Sequence, residues 1–292
     1  MAARGATRCP ASAGAAAVST VTAAELADLV HASLPDEDLT AADVLTCCGG
    51  DGSVVLGDGD AATVVNVRRF GDYAVAWIVL LAVMPERQRQ GRGRALVEQA
   101  SDYAREQGAE ELHLGTAVPR YVWPGVDFRF TAALSLFEGC GFQPYGAELN
   151  MAISTAFRAS APPGVVIVRE DGDGAVELVR RHHPMWEDEV GRATEQGVCI
   201  VARDADGATL AVGCHSVNRH GHIGPMATDP QCRGRGIGHA VLGELCADIA
   251  AVHDLAETEI SWVGPVAFYA KAGARVSRVF RTGKLALGRT DA

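Results

Sequence analysis

The chain has 292 residues and a formal charge of −10, with 48% of residues hydrophobic and 21% charged. That is a globular balance with room for one large domain or two ordinary ones. So acidic a surface argues against a general polyanion binder, which needs a cationic footprint, and no nucleic-acid partner is expected. No run of 18 apolar residues occurs, so no membrane span is expected.

The first 20 residues, "MAARGATRCPASAGAAAVST", lack the leucine-rich core of a secretory signal and read as a tail. "AELADLVHASL" and "TAADVLTCC" carry helical spacing, and "ATVVNVRRFGDYAVAWIVLLAV" reads as a hairpin turning near "FGD". The one candidate for an opening strand is "AAAVSTV". A Gly-rich stretch, "RQRQGRGRALVE", leads into a helix, followed by the strand "ELHLGTAV", an aromatic loop "PRYVWPGVDFRF" and "SLFEGCGF". "STAFRASAPPGV" is rich in Ser, Ala and Pro and reads as a linker. Beyond it, "VVIVRE" is a strand, "AVELVRRHHPMWEDEVGRA" is helical with a break near Pro184, and "VCIVARDADGATLAVGCHSV" is a hairpin turning at "DADG". "HIGPMA", the helix "GIGHAVLGELCADIAAVH", "TEISWVG", the short helix "PVAFYAKAG" and the closing "ARVSRVFRTGKLAL" complete the chain.

These elements repeat. Pro85, Gln88, Gly91 and Gly93 match Pro230, Arg233, Gly236 and Gly238, each 145 positions on. "ELHLGTAV" matches "TEISWVGP" near that offset, and "SLFEGCGF" matches "AFYAKAGA" at an offset of 132, so the first copy carries an insertion at the aromatic loop. The reading is a tail over 1–20, a first domain over 21–155, a linker over 156–163 and a second domain over 164–292. Each domain is mixed α/β, with a mostly antiparallel sheet flanked by helices.

A strand, a Gly-rich turn and an amphipathic helix in succession make an anion site. First-turn amides lack intrahelical acceptors, the helix dipole favours negative charge, and glycine lets a phosphate approach the backbone. No Walker G-x-x-x-x-G-K-[ST] string is present, and the spacing differs from the G-x-G-x-x-G dinucleotide fingerprint. The pattern [Q/R]-x-x-G-x-G, twice, each time between strands and before a short helix, resembles the acyl-coenzyme A loop of the GNAT superfamily of N-acyltransferases. The resemblance covers nearly the whole chain, and its pairing of two domains is similar to the tandem architecture of mycothiol synthase.

The resemblance implies acetyl-coenzyme A as cofactor and a primary amine as acceptor. Backbone at Leu81, Val83, Met226 and Thr228 would pair with the pantetheine. Amides over Gln88, Arg89, Gly91, Arg92, Gly93 and Arg94, and over Arg233, Gly234, Gly236, Ile237, Gly238 and His239, would cradle the diphosphate. Family members often protonate the leaving thiolate from a tyrosine on the helix after the fifth strand. That position holds Tyr269 in the second copy and Phe137, which has no proton to give, in the first. The second copy is therefore the expected catalytic one, with Tyr269 as acid. His222 is the candidate base, directly or through water, and Glu259 its rival. The aromatic insertion would cover the thioester, line an acceptor pocket, plug the site or pack on the second copy. The acidic surface suits a cationic small-molecule acceptor such as an amino sugar.

Two alternatives stand beside this: a non-catalytic coenzyme A sensor, and an acetyltransferase of protein amino termini or lysines. The eight cysteines include no C-x-x-C pair and no Cys/His cluster at zinc spacing. Free thiols, no metal and a cytoplasmic location are expected. The state is expected to be a monomer or homodimer.

Overall fold

The computed structural model describes residues 21–288 except 35, 38 and 171. The candidate opening strand "AAAVSTV" and the tail lie almost wholly outside them. The first half runs α1 (Ala23–Ser33), α2 (Ala41–Cys48), β1 (Ser53–Asp58), β2 (Ala61–Phe70), β3 (Tyr73–Val83), α3 (Arg92–Glu106), β4 (Ala109–Leu114), the two-residue β5 (Val126–Asp127), α4 (Thr131–Gly139) and β6 (Gln143–Ser154). The second runs β7 (Val166–Arg169), α5 (Gly174–His182), α6 (Glu187–Glu195), β8 (Cys199–Arg203), β9 (Thr209–His215), β10 (Ile223–Thr228), α7 (Ile237–His253), β11 (Glu257–Ile260), α8 (Val266–Lys271) and β12 (Arg275–Ala286).

Local chemistry sets many of these boundaries. Thr22 with Glu25, and Thr40 with Asp43, form reciprocal capping boxes that start α1 and α2. Pro184 separates α5 from α6 as the sequence suggests. The strand β1, absent from the sequence reading, pairs with β2 over its whole length. Its "SVVLGD" is short, and its alternation is diluted by flanking glycines and aspartates.

All strands join one sheet in the order β1-β2-β3-β4-β12-β6-β11-β10-β9-β8-β7, with β5 added on β12. The two halves are interleaved at its centre. The last strand of the second half, β12, pairs with β4 of the first, and the last strand of the first half, β6, pairs with β11 of the second. These two 12-residue strands also pair with each other from Arg275↔Ala152 to Lys284↔Gln143. Each half therefore lends the other a strand. Four clusters of buried side chains lie under the helix pairs: α1/α2, α3/α4, α5/α6 and α7/α8. The seven described cysteines are free. Burial pushes the Cys48 thiol up to about 12 and that of Cys246 to about 11, so both are protonated at neutral pH and neither is a nucleophile.

A buried ion network fastens the halves together. Glu37, 3% exposed in the α1–α2 loop, accepts from Arg219 at 3.0 Å, from Trp123 Nε1 at 3.2 Å and from Arg278. Arg278 also reaches Asp127 at 2.7 Å, and Asp127 holds Arg129 at 2.9 Å. The insertion of the first half runs along this seam. Tyr121 packs edge-on against Trp262 at 5.4 Å, and Arg192 donates to the Pro119 carbonyl at 2.9 Å.

Candidate active site

Two parallel strand pairs splay apart, for the same reason in each half. Along β3 the ladder with β2 skips one residue, since Leu80 pairs with Val64 and Ile78 with Val65. Along β10 the ladder with β9 likewise slips between Ile223 and Met226. A bulge bends its strand. The parallel pairing of β3 with β4 ends at Ile78↔Leu114, and that of β10 with β11 is confined to Ile223↔Ile260. The last bond is the same in both: Gly115 N–H to Ile78 at 3.1 Å, and Ser261 N–H to Ile223 at 3.0 Å. Beyond that point each pair opens into a wedge.

The hydrogen-bonding phase orients the wedge backbone. Met84 N–H bonds Asp60, and Asp229 N–H bonds Leu210, across the neighbouring antiparallel ladder. Antiparallel alternation then turns the amides of Leu81 and Val83, and of Met226 and Thr228, away from that neighbour and into the wedge. The Gly-rich loops close over the strand ends in parallel fashion. Gln88 donates to the Val83 carbonyl at 3.0 Å, and Arg233 to that of Thr228 at 3.4 Å. Gly91 and Gly236 sit at the N-caps of α3 and α7 with φ of 81° and 84°, and no side chain caps either helix. A Cβ on either glycine would meet nothing within 4 Å, so the backbone at both N-caps is open to approach.

The two junctions differ in what lies in front of them. In the first half a groove of about 660 Å³ is bounded by Leu81, Val83, the 88–94 loop and α4. Leu81, Val83, Gln88, Arg89, Gly91, Gly93 and Arg94 all line it, while Arg92 turns aside to Asp58 at 2.5 Å. The groove shares Leu34, Leu81, Phe130 and Ala133 with a chamber of about 80 Å³ at the splay. Asp127 is the ionisable residue on that chamber's wall. Burial raises its carboxyl, but hydrogen bonds from Arg129 and Arg278 outweigh this and hold it below the ordinary value.

In the second half the matching helical glycine is packed much as in the first, where a Cβ on Gly93 would lie 3.0 Å from Leu136. A Cβ on Gly238 would lie 3.1 Å from the Phe268 ring and 3.2 Å from Thr228 Oγ1. His239 stacks on Phe268 at 4.5 Å and 3° and bonds its carbonyl at 3.0 Å. Tyr269 is buried against Phe268, and burial raises its hydroxyl well above the usual range. His222 bonds Ser261 at 3.0 Å beside the splay. Burial, then the charges of Arg219, Arg278 and His220, push its pKa well down, so it is neutral. Tyr121 and Val122 of the first half close this end, leaving about 20 Å³ among His222, Gly224 and Ser261, space for about one water. Tyr269 is not on that chamber's wall, so the expected acid and base do not meet there.

Glu189 also lines this closed space, 3% exposed, and accepts from Asn218 at 2.7 Å. Burial raises its carboxyl from 4.5 to about 7, against the pull of Arg192 and Asn218. A raised carboxyl pKa means that the folded state binds the extra proton. Stability therefore falls as pH rises from about 4.5 to about 7, by an amount of order 2–3 kcal/mol, and then levels. Glu189→Gln is expected to flatten that slope and to raise the melting temperature at pH 8. Equal slopes in the two proteins over that window would refute the assignment.

A fold of this kind, present twice in one sheet, defines the class: a tandem N-acyltransferase. The profile of the acetyltransferase (GNAT) family matches residues 30–122 and 167–274. These matches span more than half of the chain, which belongs to that family and is a GNAT-type N-acyltransferase. A GCN5-related glucosamine N-acetyltransferase region of a fungal multidomain GH3 β-N-acetylglucosaminidase superposes with a TM-score of 0.72 at 18% identity, over 90% of this chain and 37% of that one. A tandem GNAT protein from the clavulanic acid biosynthesis pathway gives 0.67 at 16%, over 92% and 96% of the two chains. A GCN5-related N-acetyltransferase from Sphaerobacter thermophilus gives 0.64 at 20%, over 92% and 94%. At such identities the likeness is one of fold. Among curated proteins none matches the chain. Among the described residues no helix is long and apolar enough to cross a membrane, and no side-chain cluster suits a metal ion.

Proposed function

We propose that the protein transfers an acetyl group from acetyl-coenzyme A to a primary amine of a small molecule, and that the first half performs the transfer. The observation that carries this reading is the groove of about 660 Å³ in front of the bare α3 amides, sharing walls with the chamber at the splay. The diphosphate fits the helix start and the 88–94 loop, and the pantetheine pairs with the wedge-facing amides of Leu81 and Val83. The Tyr269/Phe137 difference by itself favours the second half. The groove and chamber of the first half outweigh it, because Tyr269 is buried and does not share a cavity wall with His222. The second half, with its Gly-rich loop intact, keeps a structural or cofactor-binding part.

The chemistry in the first half follows from its walls. Asp127 stays ionised in its arginine cage, so it attracts an ammonium group but is a poor base. The amine reacts in its neutral form, its nitrogen attacking the thioester carbonyl while a wedge amide faces the oxyanion. The C–N bond forms, the nitrogen gives up a proton to water, the C–S bond breaks, and the thiolate takes a proton from water in the groove, since Phe137 has none. kcat/KM is accordingly expected to rise with pH toward the pKa of the amine itself.

Thiol release from acetyl-coenzyme A across an amine library, followed by mass spectrometry of the products, tests the activity. Tight cofactor binding with no turnover on any amine would instead support a sensor, and turnover confined to peptides would support protein acetylation. Tyr269→Phe is expected to leave kcat within about threefold of wild type, because removal of a general acid that acts typically loses about 100-fold or more. A loss of that size would return the reaction to the second half.

A further inference from the structure

The first half has a third space. A cavity of about 430 Å³ lies under α4, walled by Leu134, Phe142, Pro144 and Arg281, and it shares Leu114, Val126 and Phe137 with the chamber at the splay. Its volume falls within the usual range for small-molecule sites. Leu134, Phe142 and Pro144 give it an apolar side, Glu138 and Gln143 line it as well, and the cation at its rim comes from the other half of the chain. Arg281 lies on β12, in register with Val126 of β5. Its guanidinium sits 5.1 Å over the Phe128 ring, which fixes its direction. Its carboxylate neighbour, Glu138, stands at 4.0 Å with a side chain 77% exposed. An exposed pair at that distance holds little energy and yields readily to a better carboxylate.

We infer that this cavity is the acceptor pocket and that the acceptor is a free α-amino acid with an apolar or aromatic side chain. The inference rests on the proposal that the first half carries out acetyl transfer. The acceptor's carboxylate pairs with Arg281, its side chain packs on Leu134 and Phe142, and its amino group lies toward the shared wall at Leu114, Val126 and Phe137. The ammonium loses its proton to water, and the nitrogen takes the acetyl group from sulfur. The products are an N-acetylamino acid, free coenzyme A thiol and one proton.

The test compares phenylalanine and leucine with phenethylamine and isoamylamine, their decarboxylated counterparts, on wild type, Arg281→Gln and Arg281→Lys. Wild type is expected to favour the amino acids by about 100-fold in kcat/KM, the scale for loss of a charge-assisted contact. Arg281→Gln raises KM for the amino acids by at least about tenfold and leaves the plain amines unchanged, while Arg281→Lys keeps part of the preference. N-acetylphenylalanine, with coenzyme A present, raises the melting temperature of wild type and not of Arg281→Gln. Equal use of amines with and without a carboxylate overturns the inference while leaving acetyl transfer intact. Failure of both the product shift and amino-acid turnover, in a protein that still binds coenzyme A, also overturns it. If coenzyme A itself does not bind, the acetyl-transfer proposal fails with it.

Discussion

Gly91→Val is expected to reduce acetyl transfer by at least about 100-fold, while the matched Gly236→Val leaves it within about threefold. The two glycines have the same geometry, with φ of 81° and 84° at a helix N-cap and open space where a Cβ would project. A branched residue in that left-handed conformation costs about 1–2 kcal/mol at either site, so the two variants lose similar stability. Each also sets a side chain over the first-turn amides. At α3 that side chain lies across the 660 Å³ groove, where the diphosphate is to sit. At α7 it lies before a loop that, on the proposal above, holds no reacting cofactor. Steady-state kinetics, with melting temperatures measured with and without acetyl-coenzyme A, separate the two. If Gly236→Val abolishes turnover and Gly91→Val is tolerated, the active half is the second.

The largest stability effect is expected at Glu37. Its carboxylate is 3% exposed and is shared by Arg219 and Arg278, with Arg129 at 3.8 Å and the Trp123 indole at 3.2 Å. Glu37→Gln removes a buried charge shared by Arg219 and Arg278, and leaves Asp127 to hold both Arg278 and Arg129. Breaking a buried pair in this way typically costs about 3–5 kcal/mol, equivalent to a fall of about 10 °C in melting temperature for a chain of this size. Loss of turnover should accompany it, because Arg278 also positions Asp127 on the wall of the wedge chamber. Replacing the whole cluster with apolar residues should be milder than replacing Glu37 alone, since the desolvation of both signs is then removed together. A Glu37→Gln protein within 1 kcal/mol of wild type by chemical denaturation would show that the network contributes little to holding the halves.

Much of the architecture was legible in the residues. The repeat of Gln88, Gly91 and Gly93 in Arg233, Gly236 and Gly238 marks two strand-to-helix junctions, because left-handed backbone and open amides leave few alternatives to glycine there. Period-2 runs mark the hairpins. The family resemblance implied backbone at Leu81, Val83, Met226 and Thr228, and the ladder phase turns the amides of all four into the wedges. Asp127 and Arg281 carried no such signal. Asp127 lies in a two-residue strand within an otherwise irregular insertion, and Arg281 is one of several arginines in a strand whose partners are set 123 to 175 residues away.

The sequence by itself determined that two copies of one α/β unit, each with a helix start fit for a diphosphate, lie in this chain, because local backbone preference and hydrophobic period are encoded residue by residue. Only the tertiary structure decided what lies against each copy. Long-range pairing interleaves β6 with β12 and carries Tyr121 and Val122 across the seam onto the second wedge. Whether a cavity remains depends on side chains brought together from distant segments, and neither propensity nor spacing in one copy records what the other will place against it.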